Sequence, residues 1–257
     1  MPMMKICIFQ QDILWADPEG NRRKVDELLM RQEGAQLYVL PEMFSTGFVT
    51  HPEGIAEQEP CETLRWMQQT ARQKGVALAG SVALQSEGRY HNRFYFVRPD
   101  GGTDYYDKHH LFTYGGEHHR FTAGTERVVV EYGGVRFLLL VCYDLRFPVF
   151  SRNRGDYDVM LCVANWPIPR INAWSQLLKA RAIENQCYVV GVNRTGNDPA
   201  CQYCGGSAII DPWGETVVEC TRGKEEAQAA AIDMEALYSF RRQFPVLEDA
   251  DYFQLNL

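Results

Sequence analysis

The chain has 257 residues, a net charge of −7, 46% hydrophobic and 23% charged residues, a globular composition long enough for one sizeable core. No basic run interleaved with aromatics occurs, which argues against nucleic acid as a partner. The longest apolar run, Val135 to Val141, is broken by Arg136 and far too short to span a bilayer, and the first ten residues carry neither a long apolar stretch nor a small-residue cleavage site, so no membrane segment or secretory signal is expected.

In chain order, Lys5 to Gln10 reads as a strand and Asn21 to Gln32 as a helix with Val25, Leu28 and Leu29 on one face. Gln36 to Leu40 is a short strand running into Pro41-Glu42, and Glu62 to Lys74 a helix closed by Gly75. Val76 to Leu84, Arg93 to Arg98 and Thr103 to Lys108 read as strands. Val128 to Tyr132 and Val135 to Val141 form a hairpin about Gly133-Gly134. A tight turn at Cys142 to Arg146 leads into a short helix near Val149 to Arg152. Asp158 to Ala164 is a buried strand, Ala173 to Asn185 a helix with Leu177, Leu178 and Ile183 inward, and Tyr188 to Asn193 a strand. Ser207 to Ile210, Glu215 to Cys220 and Ala227 to Ile232 are the last strands, and 240–257 is an irregular tail rich in aromatics. Without repeats or linkers, 1–257 is expected to form a single domain of layered α/β architecture.

Eight cysteines occur in a chain too large to need disulfide staples. Cys7, Cys142, Cys162 and Cys187 lie in apolar runs, as buried reduced thiols do, which points to the cytoplasm. Cys201 and Cys204 form a CxxC, but no second ligand pair at zinc spacing accompanies it, so it is read as a loop coincidence.

Three polar residues each close an apolar strand: Glu42 after LYVLP, Lys108 after DYYD and Cys142 after RFLLLV. Strand ends form the rim where ligands bind in α/β folds. Singly, each reads as a solvated charge or a small core residue. Together their chemistry interlocks. A thiol at its ordinary pKa is mostly protonated, so it needs a base, which Glu42 can be, and a cation for the charge that forms, which Lys108 can be. A protonated Glu42 can then hand its proton to a departing amine and later activate water. The Lys108 ammonium and the Tyr143 backbone N–H can stabilise an oxyanion.

VLPEMFSTGF, YYDKHHLF and LLLVCYDLRFP resemble the three signatures of the nitrilase superfamily, in the family's order, and the likeness runs from KICIFQQD to the C-terminal region. The resemblance implies a four-layer αββα sandwich, a Glu42-Lys108-Cys142 triad, no metal or organic cofactor and a homodimer, with the aromatic tail able to cross onto a partner. It also implies a second pocket glutamate, matched by Glu117 in GGEHHRFTAG, orienting Lys108 and the substrate amide. Within the superfamily GSVALQ, NRFYFV, CYDLRFPVFSRN, YDVMLCVANWP, KARAIENQCYVVGVNR and FPVLEDADYF look like the bacterial omega-amidases. That likeness implies hydrolysis of the distal amide of 2-oxoglutaramate and 2-oxosuccinamate. One departure stands out: TYGGEHHRF carries Gly115-Gly116 and paired histidines, which is expected to alter a pocket loop rather than the triad.

Such a substrate needs a cation for its α-carboxylate. Arg146, four residues past the nucleophile, is the first candidate and Arg170 the second, with Trp166 as an apolar wall. A structural salt bridge is the competing role for Arg146. Four rival readings stay open. One is another amidase of the superfamily, such as an N-carbamoyl amino acid or aliphatic amidase, or a nitrilase. Another is a metal hydrolase built on His109, His110, His118 and His119, although no HExxH spacing occurs. A third is a papain-like hydrolase with His109 or His110 as base, and the last is a binding protein with an inert triad.

Overall fold

The computed structural model describes residues 3–255 and 257. In its first strand, β1 (Met3–Gln10), Ile6 and Ile8 face one way and Cys7 and Phe9 the other, and all four are fully buried. A strand buried on both faces must lie in an inner layer, and the rest of the chain supplies those layers.

The first half continues with α1 (Pro18–Arg31), β2 (Leu37–Val39), the two-residue β3 (Glu57–Gln58), α2 (Glu62–Lys74), β4 (Ala77–Ser86), β5 (Arg89–Val97) and β6 (Thr103–Asp107). The second half has β7 (Val129–Tyr132), β8 (Val135–Val141), α3 (Pro148–Ser151), β9 (Val159–Ala164), α4 (Ile171–Asn185), β10 (Tyr188–Asn193), β11 (Thr195–Asn197) and β12 (Gln202–Cys204). It ends with β13 (Ala208–Ile210), β14 (Thr216–Glu219), β15 (Glu226–Asp233) and α5 (Met234–Gln243). One sheet runs β15-β1-β2-β4-β5-β6, with β3 beside β4, and the other runs β14-β13-β10-β9-β8-β7. Each has a parallel centre, β1-β2-β4 in the first and β8-β9-β10 in the second, flanked by antiparallel strands.

The sheets stack face to face. Ile6, Ile8, Ala79, Phe94 and Phe96 of the first share one cluster with β8 and β9 of the second, and the Phe96 and Phe137 ring centroids lie 5.6 Å apart. On the outer face of the first sheet, Cys7, Phe9, Leu78 and Tyr95 pack on Val25 and Leu29 of α1 and on Met67 and Ala71 of α2. On the outer face of the second sit Trp174, Leu178 and Ala182 of α4 and Met234 and Leu237 of α5. Gly191 in β10 permits that approach, because a Cβ there would stand 2.6 Å from Leu178 Cδ1. The result is the expected α–β–β–α order, with each buried Leu or Phe contributing roughly 1.5–3 kcal/mol.

Three local readings change. α1 begins at Pro18, because the Asp17 side chain caps it by accepting from Gly20 N at 2.9 Å and proline suits the first helical position. In α4, Ile183 is 54% exposed and the inward face carries Arg181 and Asn185, which bond to main-chain groups of the preceding segment. The predicted irregular tail from Phe240 begins inside α5, capped by Asp233, whose Oδ1 accepts from Glu235 N and Ala236 N, each at 3.0 Å. Arg241 of that helix pairs with buried Asp158 at 3.0 Å. Burial alone would raise the Asp158 carboxyl, but Arg136 and Arg241 outweigh it and hold it below the usual range.

Candidate active site

The sandwich brings its strand ends to one rim. Lys108 directly follows β6, Cys142 directly follows β8, and Glu42 lies in the turn after β2. Cys142 has φ 49°, in the left-handed region, which costs a non-glycine residue roughly 1 kcal/mol or more. Asp144 holds that turn: its Oδ2 accepts from Val141 N at 2.9 Å and from Tyr106 OH at 2.8 Å. From α4, Arg181 donates through Nε and Nη2 to Leu145 O at 3.1 and 2.7 Å, pinning the far side of the turn.

Lys108, Glu42 and Glu117 form one buried cluster, each with no exposed surface. Lys108 Nζ donates to Glu42 Oε1 at 3.0 Å and to Glu117 Oε2 at 2.9 Å. Asn92 Nδ2, from mid-β5, bridges Glu42 Oε1 at 2.8 Å and Glu117 Oε1 at 3.2 Å. Asn165, just past β9, donates its backbone N to Glu42 Oε2 at 2.8 Å and its Nδ2 to the Glu42 main-chain O at 2.6 Å. Phe112 N donates to Glu117 Oε2 at 2.6 Å. Gly116, at φ 77°, joins two single turns and points Glu117 inward, so the Gly115-Gly116 departure shapes a loop at the cavity.

Burial opposes the charge on Lys108, but Glu117 and Glu42 outweigh it and hold the ammonium above its ordinary pKa. Two carboxylates share that one ammonium, and burial, with Glu42 nearby, pushes Glu117 up despite Lys108. The Cys142 thiol is raised well above the usual range by burial and by Glu42, against the pull of Lys108. A thiol raised in this way gives up its proton only to a base. Cys7 and Cys187 are also pushed up, to about 12, by burial, but neither lines a cavity with Lys108.

Cys142 does. It is half-buried and, with Lys108, lines a cavity of about 430 Å³. Phe48, Phe112, Tyr143 and Trp166 form apolar walls. Arg146 also lines it, its guanidinium 4.8 Å from the Trp166 ring, and Arg170 lies 5.2 Å from the Phe112 ring. Neither guanidinium makes an ion pair among the described residues, so the salt-bridge role weighed for Arg146 does not hold. The papain-like reading fails on geometry: His109 Nδ1 meets Gly124 O at 2.6 Å, His110 Nδ1 meets Asp144 Oδ1 at 2.8 Å, and neither ring lines the cavity. Among the described residues no three His, Cys, Asp or Glu side chains form a group fit for a metal ion. Cys201 stands at the cavity rim and Cys204 in β12, and both thiols are free.

Residue reasoning missed Asn92, Asn165, Asp144 and Arg181. Asn165 follows the apolar strand VMLCVA just as Cys142 follows RFLLLV, so the strand-end rule already contained it.

A thiol, an ammonium and paired carboxylates at the sheet rim suit acyl transfer to sulfur, and the chain belongs to the carbon–nitrogen hydrolase family, whose model matches residues 5–242. The nitrilase-superfamily resemblance is thereby borne out. The chain is 46% identical to an omega-amidase of Escherichia coli K12 over 256 residues, 99% of this chain and 100% of that one. It is 36% identical to a 2-oxoglutaramate amidase of Bacillus subtilis 168, covering 95% and 96%. Its fold matches the crystal structure of a CN-hydrolase superfamily protein from Xanthomonas campestris with a TM-score of 0.96 at 44% identity, covering 99% and 100%.

Proposed function

We propose that this chain is an omega-amidase, hydrolysing the distal amide of 2-oxoglutaramate and of 2-oxosuccinamate to the 2-oxo dicarboxylate and ammonia. One observation carries the reading: the cavity of Cys142 holds two guanidiniums, Arg146 and Arg170, mounted on aromatic rings and free of carboxylate partners among the described residues. An unpaired arginine in a largely apolar cavity is a receptor for a carboxylate. The names of the Escherichia coli and Bacillus subtilis relatives support the same chemistry.

In this reading Glu42 takes the Cys142 proton as sulfur bonds to the amide carbon. Lys108 and the Tyr143 backbone N–H receive the oxyanion. Glu42 returns the proton to nitrogen, the C–N bond breaks, and ammonia leaves a thioester on Cys142. Water, deprotonated by Glu42, releases the acid and restores the thiol. Glu117 orients Lys108. The thiol, carboxylate and ammonium supply nucleophile, proton carrier and charge stabiliser, so no cofactor enters the cycle. Eight free cysteines support a reducing compartment such as the cytoplasm. The exposed aromatics Phe244 and Tyr252 at the end of the chain support a homodimer, which a monomeric mass at micromolar concentration would contradict.

Arg146→Ala tests the substrate assignment. Losing a charge-assisted hydrogen bond should raise KM for 2-oxoglutaramate about tenfold or more, while kcat/KM for neutral propionamide stays near the parent value. An unchanged KM removes Arg146 from the role, and a parent enzyme that prefers nitriles or ureido acids to 2-oxoglutaramate ends the omega-amidase reading.

A further inference from the structure

Glu42 is surrounded by donors, and one of the residues supplying them has an atom left over. Asn165 is 5% exposed, and its Nδ2 donates to Glu42 main-chain O at 2.6 Å and to Glu42 Oε2 at 3.3 Å. Both partners are acceptors, so the side-chain amide has only one sensible orientation: turned over, Oδ1 would face two oxygens. Fixed this way, Oδ1 is buried and has no hydrogen-bond partner among the described residues. Buried acceptors are rarely left unmet, because desolvation without a bond costs free energy.

Its surroundings say what it waits for. Val163 of β9 pairs with Val141 of β8, so Asn165 and Cys142 stand at neighbouring strand ends. Both line the same cavity. The backbone beyond is clamped: Trp166 N donates to Asn193 Oδ1 at 2.7 Å, and Asn193 Nδ2 donates to Trp166 O at 2.9 Å. Asn165 lines the cavity that Cys142 also lines, and no donor among the described residues meets this acceptor, so an N–H or O–H of a molecule held in the cavity is the partner that remains.

The geometry points to Asn165 Oδ1 as the acceptor that holds an N–H of the scissile carboxamide and presents its nitrogen to Glu42. This rests on the thioester chemistry proposed above, not on the identity of the acyl chain. In the amide the nitrogen lone pair is delocalised. Once Cys142 Sγ bonds to the carbon, that lone pair localises and must point at the proton on Glu42. With one N–H fixed on Oδ1, the nitrogen cannot turn away. The proton transfers, the C–N bonding pair leaves with ammonia, and the oxyanion reforms its carbonyl as the thioester. An ester has no N–H at its leaving oxygen and gains nothing from Oδ1. Asn165 is therefore a catalytic residue that favours amides over esters.

The test compares kcat/KM for two amide–ester pairs, succinamate with monomethyl succinate and propionamide with methyl propanoate. This parameter isolates steps up to loss of the leaving group. Asn165→Leu removes the acceptor at similar volume and is expected to lower the amide-to-ester ratio about tenfold in both pairs. Asn165→Asp, with its second oxygen protonated and donating to the Glu42 main-chain O, keeps an acceptor at the Oδ1 position and should hold the ratio within about twofold of the parent, although both rates fall as the Glu42 carboxylate loses a donor. Asn165→Ala gives the same readout as Asn165→Leu should the larger side chain prevent folding, which a thermal melt reports. If amide and ester turnover fall by the same factor in the leucine and alanine variants, Asn165 acts only by holding Glu42 and the proposal is overturned. A parent enzyme with no preference for succinamate over propionamide would instead count against the omega-amidase reading and leave the ratios to decide this one.

Discussion

Glu42→Gln is expected to lower kcat/KM for every amide substrate by about 10²–10⁴-fold, the usual contribution of a positioned acid–base group. The same variant should make Cys142 easier, not harder, to ionise. Glu42 is one of the causes that raise the Cys142 thiol, while Lys108 pulls the other way. Removing the carboxylate charge and keeping the ammonium lowers the pH at which the thiolate appears. Iodoacetamide labelling of Cys142 against pH checks this: the midpoint should move down in Glu42→Gln while amidase activity is nearly gone. Activity that survives Glu42→Gln and vanishes in His110→Ala would transfer the base to an imidazole. The variant also carries a structural cost, because Lys108, Asn92 and Asn165 all donate to the Glu42 carboxylate. A glutamine NH2 must face one of those donors, so a lower melting temperature is expected alongside the lost activity.

Lys108→Met should produce the largest loss of stability. It leaves Glu42 and Glu117, both fully buried and bridged by Asn92, without the ammonium between them. Breaking a buried pair from one side costs about 3–5 kcal/mol. For a chain of this size that corresponds to a drop in Tm on the order of 10 °C. The effect has a definite pH dependence. Burial and Glu42 already raise the Glu117 carboxyl against the pull of Lys108, and without Lys108 it rises further above the unfolded glutamate value of about 4.3. A carboxyl raised on folding favours the folded state below its unfolded pKa, and that contribution is lost as pH rises through its folded pKa. The stability gap between variant and parent should thus be smallest below about pH 4, under the unfolded glutamate value, and widen as pH rises above it. Adding Glu117→Gln removes one of the stranded charges and should restore about half of the loss. A double variant no more stable than Lys108→Met would mean that repulsion between the carboxylates is not the source.

Much of this was legible because apolar strands announce their own ends. Lys108 and Cys142 follow β6 and β8 directly, and Glu42 follows β2 by one short turn, so the rim assembled from three separate runs of sequence. Glu117 was reachable only through resemblance, since a glutamate between Gly116 and His118 carries no periodicity, and its burial comes from the left-handed turn at Gly116. Asn92 escaped for a different reason. It interrupts the apolar pattern of β5, and nothing local reveals that Ser81, Glu42 and Glu117 satisfy it from other segments. Ile183 misled because α4 buries Arg181 and Asn185 in its place, polar residues whose partners lie in the turn after Cys142 and at Asn153. α5 was hidden by its charged and aromatic composition, though Asp233 and Glu235 at its start were a readable beginning.

The central claim is a covalent bond to one sulfur among eight. Enzyme mixed with 2-oxoglutaramate, quenched in acid within a turnover and digested for peptide mass spectrometry should carry the acyl group on the peptide containing Cys142, and hydroxylamine should remove it as the hydroxamate. Ammonia release with no acyl peptide at all, or with the group on Cys201 or any other cysteine, would contradict the account.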